Sequence, residues 1–172
     1  KHNRDSYMVG ALARFNLNSE RLSPLAKKVA DSFGLKAVNY NSFMNNVAQI
    51  VECVYSVEDS IRLIDELLHD GLKEEKFSVK PKAGKGVSAV EVPRGILFHD
   101  YEYDKEGRCV NANCIIPTNQ NHGNIQRDLE ALLLGLLDKS EKEIELGLEM
   151  LVRAYDPCIS CSAHLLEVKF ER

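Results

Sequence analysis

Asp156-Pro157-Cys158-Ile159-Ser160-Cys161-Ser162-Ala163-His164 is the stretch on which the reading turns. Two thiols three positions apart can reach one metal from the same side of a turn. Thiolates are soft donors and favour nickel, copper, zinc or iron over hard cations. Pro157 stops a preceding helix and fixes the entry into the turn. His164 falls within reach of the same locality. The bare pair leaves several chemistries open. Zinc sites usually show two such pairs or a Cys/His quartet. A dithiol redox switch normally opens a helix after a strand, whereas this pair closes a helix.

Upstream of the turn, Ser140-Glu141-Lys142-Glu143 forms a capping box, predicting a helix through Ile144, Leu148, Leu151 and Val152 to about Tyr155. A helix over Ile125–Leu137 precedes it, carrying Leu129, Leu132, Leu133 and Leu136. Before that comes a β region. Val87–Val92 alternates, Ile96–Tyr103 is apolar and aromatic, and Cys109–Ile116 returns, with Asp104-Lys105-Glu106-Gly107 as a hairpin turn. Residues 73–86 are rich in lysine, with Pro81, Gly84 and Gly86, and read as a loop. The N-terminal third is helical. Ser23-Pro24 caps one helix that stops at Gly34, and Ser42 begins an apolar-periodic stretch. Ser56-Val57-Glu58-Asp59 resembles a further capping box, starting a helix that ends near Gly71. The tail Leu165–Phe170 is expected to pair as a short strand. The fold class is α+β, mainly helical with a small antiparallel sheet. The order is helices over 1–72, the loop 73–86, the sheet 87–117, helices and the thiol turn over 125–164, and the tail 165–172.

Lysine plus arginine number 22 against 26 acidic residues, a formal net charge of −4, so no basic surface for nucleic acid is expected. No apolar run approaches the roughly 20 residues needed to span a bilayer. Hydrophobic residues make up 44% and charged residues 28% of the 172, as in a globular chain. The opening Lys1-His2-Asn3-Arg4-Asp5-Ser6-Tyr7 reads like the interior of a longer protein and shows no secretory signal, which predicts a fragment. The five cysteines, Cys53, Cys109, Cys114, Cys158 and Cys161, are an odd count. Without a secretory signal they read as free thiols in a reducing compartment, some of them metal ligands.

The pattern Asp-Pro-Cys-x-x-Cys-x-x-His resembles the C-terminal signature of nickel–iron hydrogenase large subunits. Two further segments resemble the same family in the same order. One is Glu91-Val92-Pro93-Arg94-Gly95 with His99 after it, and the other is Ala112-Asn113-Cys114-Ile115-Ile116-Pro117-Thr118. Ser6-Tyr7-Met8-Val9-Gly10 with Leu12-Ala13-Arg14 is similar to a stretch upstream of these. The resemblance implies the C-terminal half of the hydrogenase large-subunit fold and reversible heterolytic cleavage of dihydrogen. It implies a nickel–iron centre whose iron carries carbon monoxide and cyanide, held by four cysteines from two CxxC pairs. By position, Cys158 would be a terminal nickel ligand and Cys161 a bridge between nickel and iron. The proton of heterolysis would go to Cys158 or to a glutamate from the missing half. His164 would end the mature subunit and serve a magnesium or iron site.

Arg94 would overhang the metals, and Thr118 would donate to a cyanide. Pro93 and Pro117 would wall out water, Asp156 would pair near Arg94, and His99 would have a buried hydrogen-bonding role. Cys114 is not in the ligand set and reads as structural. The N-terminal CxxC is absent, so the fragment alone is expected to be inactive and without its metals. Leu165–Arg172 extends past His164, implying an unprocessed precursor or a lineage that keeps a tail. Partners implied are an iron–sulfur small subunit, further electron-transfer subunits, a maturation protease and a nickel chaperone. The motif style resembles cytoplasmic multisubunit enzymes serving nicotinamide, deazaflavin or heterodisulfide partners. The rival readings are a zinc-binding structural domain, the related quinone-site subunit of complex I, and a thiol redox protein.

Overall fold

A computed structural model of the chain describes residues 5–158 and 168–169. Its described residues form five α-helices and one three-stranded antiparallel sheet. The helices are α1 (Ala11–Asn18), α2 (Pro24–Ser32), α3 (Asn45–Asp70), α4 (Pro117–Leu134) and α5 (Glu141–Ala154). The strands β1 (Gly84–Val92), β2 (Gly95–Tyr103) and β3 (Cys109–Ile115) lie in that order between α3 and α4.

Local chemistry accounts for most boundaries. Ser23 Oγ accepts from Ala26 N and Pro24 occupies the first turn, so α2 starts where its orphan amides find a partner. Beyond α2, Gly34 turns the chain at φ 67°. At α5, Ser140 and Glu143 cap each other reciprocally, and Ile144, Leu148 and Leu151 bury one face. The β2–β3 turn closes through Asp104, whose Oδ1 accepts from Glu106 N and Arg108 N.

The core joins the first three helices. Ala11, Leu12 and Phe15 of α1 meet Ala26 and Ala30 of α2, Leu35, and Ala48 and Val51 of α3. Four alanines at the contact let the backbones approach closely, and Leu12, Leu35 and Val51 fill the space between.

Several boundaries differ from expectation. Ser56 does not start a helix, because α3 runs unbroken from Asn45 to Asp70 and its Ser60 hydroxyl donates to the Ser56 carbonyl. Capping-type residues inside a continuous helix bond locally in this way. The sheet starts at Gly84, three residues inside the expected loop. Helix α4 starts at Pro117, not Ile125, and stops at Leu134. Proline at the first helical position loses no bond there, and the polar run Asn119–Asn124 masked the helix to periodicity. Helix α1 falls within the stretch 1–72 expected to be helical, although no capping signal marked its bounds. Of the expected tail strand, Val168 and Lys169 are described and lie outside any strand.

Candidate metal centre

Arg94 sits in the two-residue turn joining β1 to β2, where Val92 pairs with Gly95. Gly95 has φ 145°, and a Cβ there would lie 2.6 Å from Val9 Cγ2 and 3.1 Å from Pro117 Cβ. Only glycine lets the hairpin, the segment before α1 and the start of α4 meet so closely.

The turn is held from behind by Arg14 of α1. Its Nε and Nη2 bind the two Glu52 carboxylate oxygens at 2.6 and 2.7 Å. Its Nη1 donates to Val92 O at 3.0 Å and its Nη2 to Pro93 O at 2.6 Å. One planar guanidinium therefore ties α1 and α3 to the residues just before Arg94. The hydrogen bonds to Glu52 push the Arg14 guanidinium above its ordinary value, so it stays charged.

Arg94 in turn reaches the end of α5. Its Nε donates to Asp156 O at 2.8 Å and its Nη2 to Asp156 Oδ1 at 3.2 Å. Gln49 Nε2 of α3 donates to the other carboxylate oxygen at 3.0 Å. Asp156 lies in the left-handed region at φ 51°, so these bonds fix a bend that an unsupported aspartate rarely adopts. The amide of Cys158 donates to Thr118 Oγ1 at 3.4 Å, and Thr118 is buried in the first turn of α4. Pro117 is buried beside it, whereas Pro93 is exposed.

A polar network stands behind the bend. The Tyr155 hydroxyl meets Asp128 and Ser42 and accepts from Asn124 Nδ2 at 2.6 Å. Burial first, then the bond to Asp128, pushes the Tyr155 phenol up to about 12. Asn45 accepts from Leu12 N and donates to Ala154 O, while Asn121 accepts from Val9 N and donates to Val9 O. These buried amides bind α1 and the segment before it to the turn.

The structure therefore brings together Arg94, Asp156, Cys158 and Thr118, with Pro117 adjoining. The described partners of His99 are Tyr101 and Cys114 on the sheet. Cys161 and His164 lie outside the described residues. Cys53, Cys109 and Cys114 are free thiols, but Cys158 is disulfide-bonded, not free as expected. A thiolate ligand requires the reduced form. Cys114, expected as structural, is exposed. Gln49 and the Glu52 partner of Arg14 were missed. Neither stands in a motif, and each reaches its partner across many residues of sequence.

Among the described residues, no helix is long and apolar enough to cross a membrane. Comparison with known proteins agrees with the sequence resemblance. The nickel-dependent hydrogenase family model matches residues 1–164. The chain is 35% identical over 165 residues to the sulfhydrogenase 2 alpha subunit of Pyrococcus furiosus, covering 93% of this chain and 39% of that protein. It is 31% identical over 172 residues to the beta subunit of the NAD-reducing hydrogenase HoxS of Cupriavidus necator, covering 94% and 34%. The Ni-Fe-Se hydrogenase of D. vulgaris Hildenborough in its reduced state superposes with a TM-score of 0.57 at 25% identity, covering 92% of this chain and 36% of that one. An NAD+-reducing [NiFe]-hydrogenase in the H2-reduced state shares the fold, with a TM-score of 0.71 and 24% identity over 92% of this chain and 36% of that one. The chain thus spans less than two fifths of the length of these relatives. On the match to residues 1–164, the chain belongs to the nickel-dependent hydrogenase family.

Proposed function

We propose that this chain is part of the catalytic subunit of a [NiFe] hydrogenase, which cleaves dihydrogen reversibly and heterolytically to protons and electrons. One observation carries the reading. Arg94 from the β1–β2 turn and Thr118 from α4 converge on Asp156 and Cys158, so three motifs far apart in sequence meet at one place.

The donor set suits the group. Cys158 offers a soft sulfur once reduced, and Arg94 and Thr118 offer N–H and O–H donors for anionic diatomic ligands. When bound, a nickel–iron pair with carbon monoxide and cyanide on the iron supplies the redox chemistry of dihydrogen. Cys158 would hold nickel and could take a proton at Sγ, and Cys161 would bridge the two metals. The Thr118 hydroxyl accepts from Cys158 N through its oxygen, which leaves its own proton to donate to a cyanide. The Arg94 guanidinium would stabilise negative charge beside the metals. Asp156 and Gln49 hold that guanidinium and the bend in register. Buried Pro117 would help exclude water, a role that exposed Pro93 does not fill, and His164 would serve the magnesium or iron site.

This stretch holds one CxxC, half of the thiolates required, so turnover needs a second cysteine pair from outside it. A groove of about 960 Å³, lined in part by Gln49, Glu52, Val92 and Pro93, opens next to the site and offers a place for that segment. An iron–sulfur small subunit and further electron-transfer subunits would carry the electrons, in the cytoplasm. A nickel chaperone and a maturation protease would complete the centre.

The test is metal content and dihydrogen uptake of the full-length protein, purified under reducing conditions. Nickel at one per subunit, with nickel and activity both lost in Cys158→Ser by more than about 100-fold, is the expected result. Stoichiometric zinc without nickel would replace this reading with a structural site. The disulfide-bonded Cys158 favours one second reading, a dithiol redox turn. That reading is correct if Cys158→Ser leaves dihydrogen activity intact.

A further inference from the structure

Away from the candidate metal centre, one face of the sheet gathers a thiol, an imidazole and a phenol. His99 and Tyr101 lie two apart on β2 and so share a face, and Cys114 of β3 pairs directly opposite His99. His99 Nδ1 lies 3.0 Å from the Tyr101 hydroxyl and 3.7 Å from Cys114 Sγ. The Tyr101 hydroxyl lies 3.5 Å from the same sulfur. The two rings stack at 5.6 Å with an angle of 26°, which fixes their mutual orientation. Cys114 itself is exposed to solvent.

We propose that Cys114 is an activated thiol, with His99 as its base and Tyr101 as the donor that steadies the thiolate, and that it exchanges with small disulfides. The chemistry follows from the arrangement. With its ring proton on Nε2, neutral His99 presents Nδ1 as an acceptor to the thiol proton. Proton transfer leaves an imidazolium beside a thiolate, the pairing that activates cysteine elsewhere. Tyr101 is suited to donate and not to ionise, since the hydrogen bond to Cys114 pushes its phenol above the ordinary value. In the exchange, the Cys114 thiolate attacks one sulfur of the disulfide. That S–S bond breaks, a new one forms to Cys114, and the departing thiolate takes the proton from His99.

The surroundings leave this trio in control. Register places Gly84, Gly86, Ser88 and Val90 of β1 on the same face, none of them ionisable. On β2 and β3 the other titratable groups of that face are Tyr103 and Cys109. The proposal does not depend on the metal reading.

The experiment uses the reduced full-length protein with oxidised glutathione as probe, and peptide mass spectrometry to time each cysteine. An ordinary exposed thiol is only a few per cent ionised at pH 7, so an activated one gains about tenfold. Cys114 is expected to react about ten times faster than Cys53 and Cys109. Its rate should also fall less steeply below pH 8 than theirs. His99→Gln should bring Cys114 down to the rate and pH profile of Cys109, and Tyr101→Phe should slow it about threefold. Cys109 lies on the same strand, so an unchanged Cys109 rate shows that the sheet survives each substitution. The proposal is overturned if Cys114 reacts no faster than Cys109, or if His99→Gln leaves its rate and pH profile unchanged.

Discussion

Arg14 makes four hydrogen bonds with one guanidinium, and its side chain is 19% exposed. Its loss would leave Glu52 without its bidentate partner and take one donor from each of the Val92 and Pro93 carbonyls. Partly buried groups left unsatisfied in this way cost about 1–3 kcal/mol. Arg14→Leu is therefore expected to lower the stability measured by urea denaturation by about 2 kcal/mol. Arg14→Lys should recover little of it, because an ammonium cannot serve both carboxylate oxygens and both carbonyls at once. Tyr155 makes a different prediction. Its phenol is raised from 10.0 to about 12 on folding, so the folded chain keeps that proton where the unfolded chain has lost it. The stabilisation is complete below pH 10 and is lost as pH rises from about 10 to about 12. Chemical denaturation across that range should show a steeper loss in the native chain than in Tyr155→Phe, and equal slopes would refute it. At this scale Cys158, Arg94, Thr118 and Asp156 stood out because they sit in segments that resemble the family's motifs. Gln49 and Glu52 did not, because their partners are set by how α3 packs.

Helix α3 shows why local signals mislead at the level of elements. Ser56-Val57-Glu58-Asp59 carries cap chemistry, yet α3 passes through it with Val51 buried before it and Ile61 and Ile64 following on the same helix. A cap forms only where the backbone has a reason to stop, and no glycine or proline lies between Asn45 and Asp70. The two readings predict opposite outcomes for Val57→Pro. Were Ser56 a true N-cap, position 57 would be the first helical residue and would tolerate proline. In a continuous α3 the substitution removes a main-chain bond and clashes with the preceding turn, costing about 3 kcal/mol. A large drop in helicity and melting temperature is the expected outcome, and a silent substitution would restore the two-helix reading. The second and third strands were legible to within a residue, since the apolar pattern and the Asp104–Gly107 turn are both local, whereas β1 begins three residues inside the expected loop. The start of α4 was not legible, because its first eight residues are polar or small and are fixed by contacts with Val9, Ile96 and Cys158.

At the scale of the molecule, surface area is the telling quantity. The chain exposes 13,102 Å². A compact monomer of 19.4 kDa is expected to expose about 8,500 Å². The excess is of the order seen in extensive obligate interfaces. Ile61, Ile64, Leu67 and Leu68 on the second half of α3 are each more than half exposed, the last at 78%. The small core of α1, α2 and the first half of α3 leaves those positions uncovered. Contiguous apolar faces of this kind are covered by another surface or drive association. The relatives, more than twice as long, have the additional chain with which to cover such a face. The 172-residue chain alone is therefore expected to self-associate, with a sedimentation coefficient that rises over a concentration series. Ile64→Lys with Leu68→Lys should suppress the rise and leave far-ultraviolet circular dichroism unchanged, because neither side chain is in the core. If the native chain sediments as a monomer at every concentration, α3 needs no cover, and the excess area reflects only an open shape.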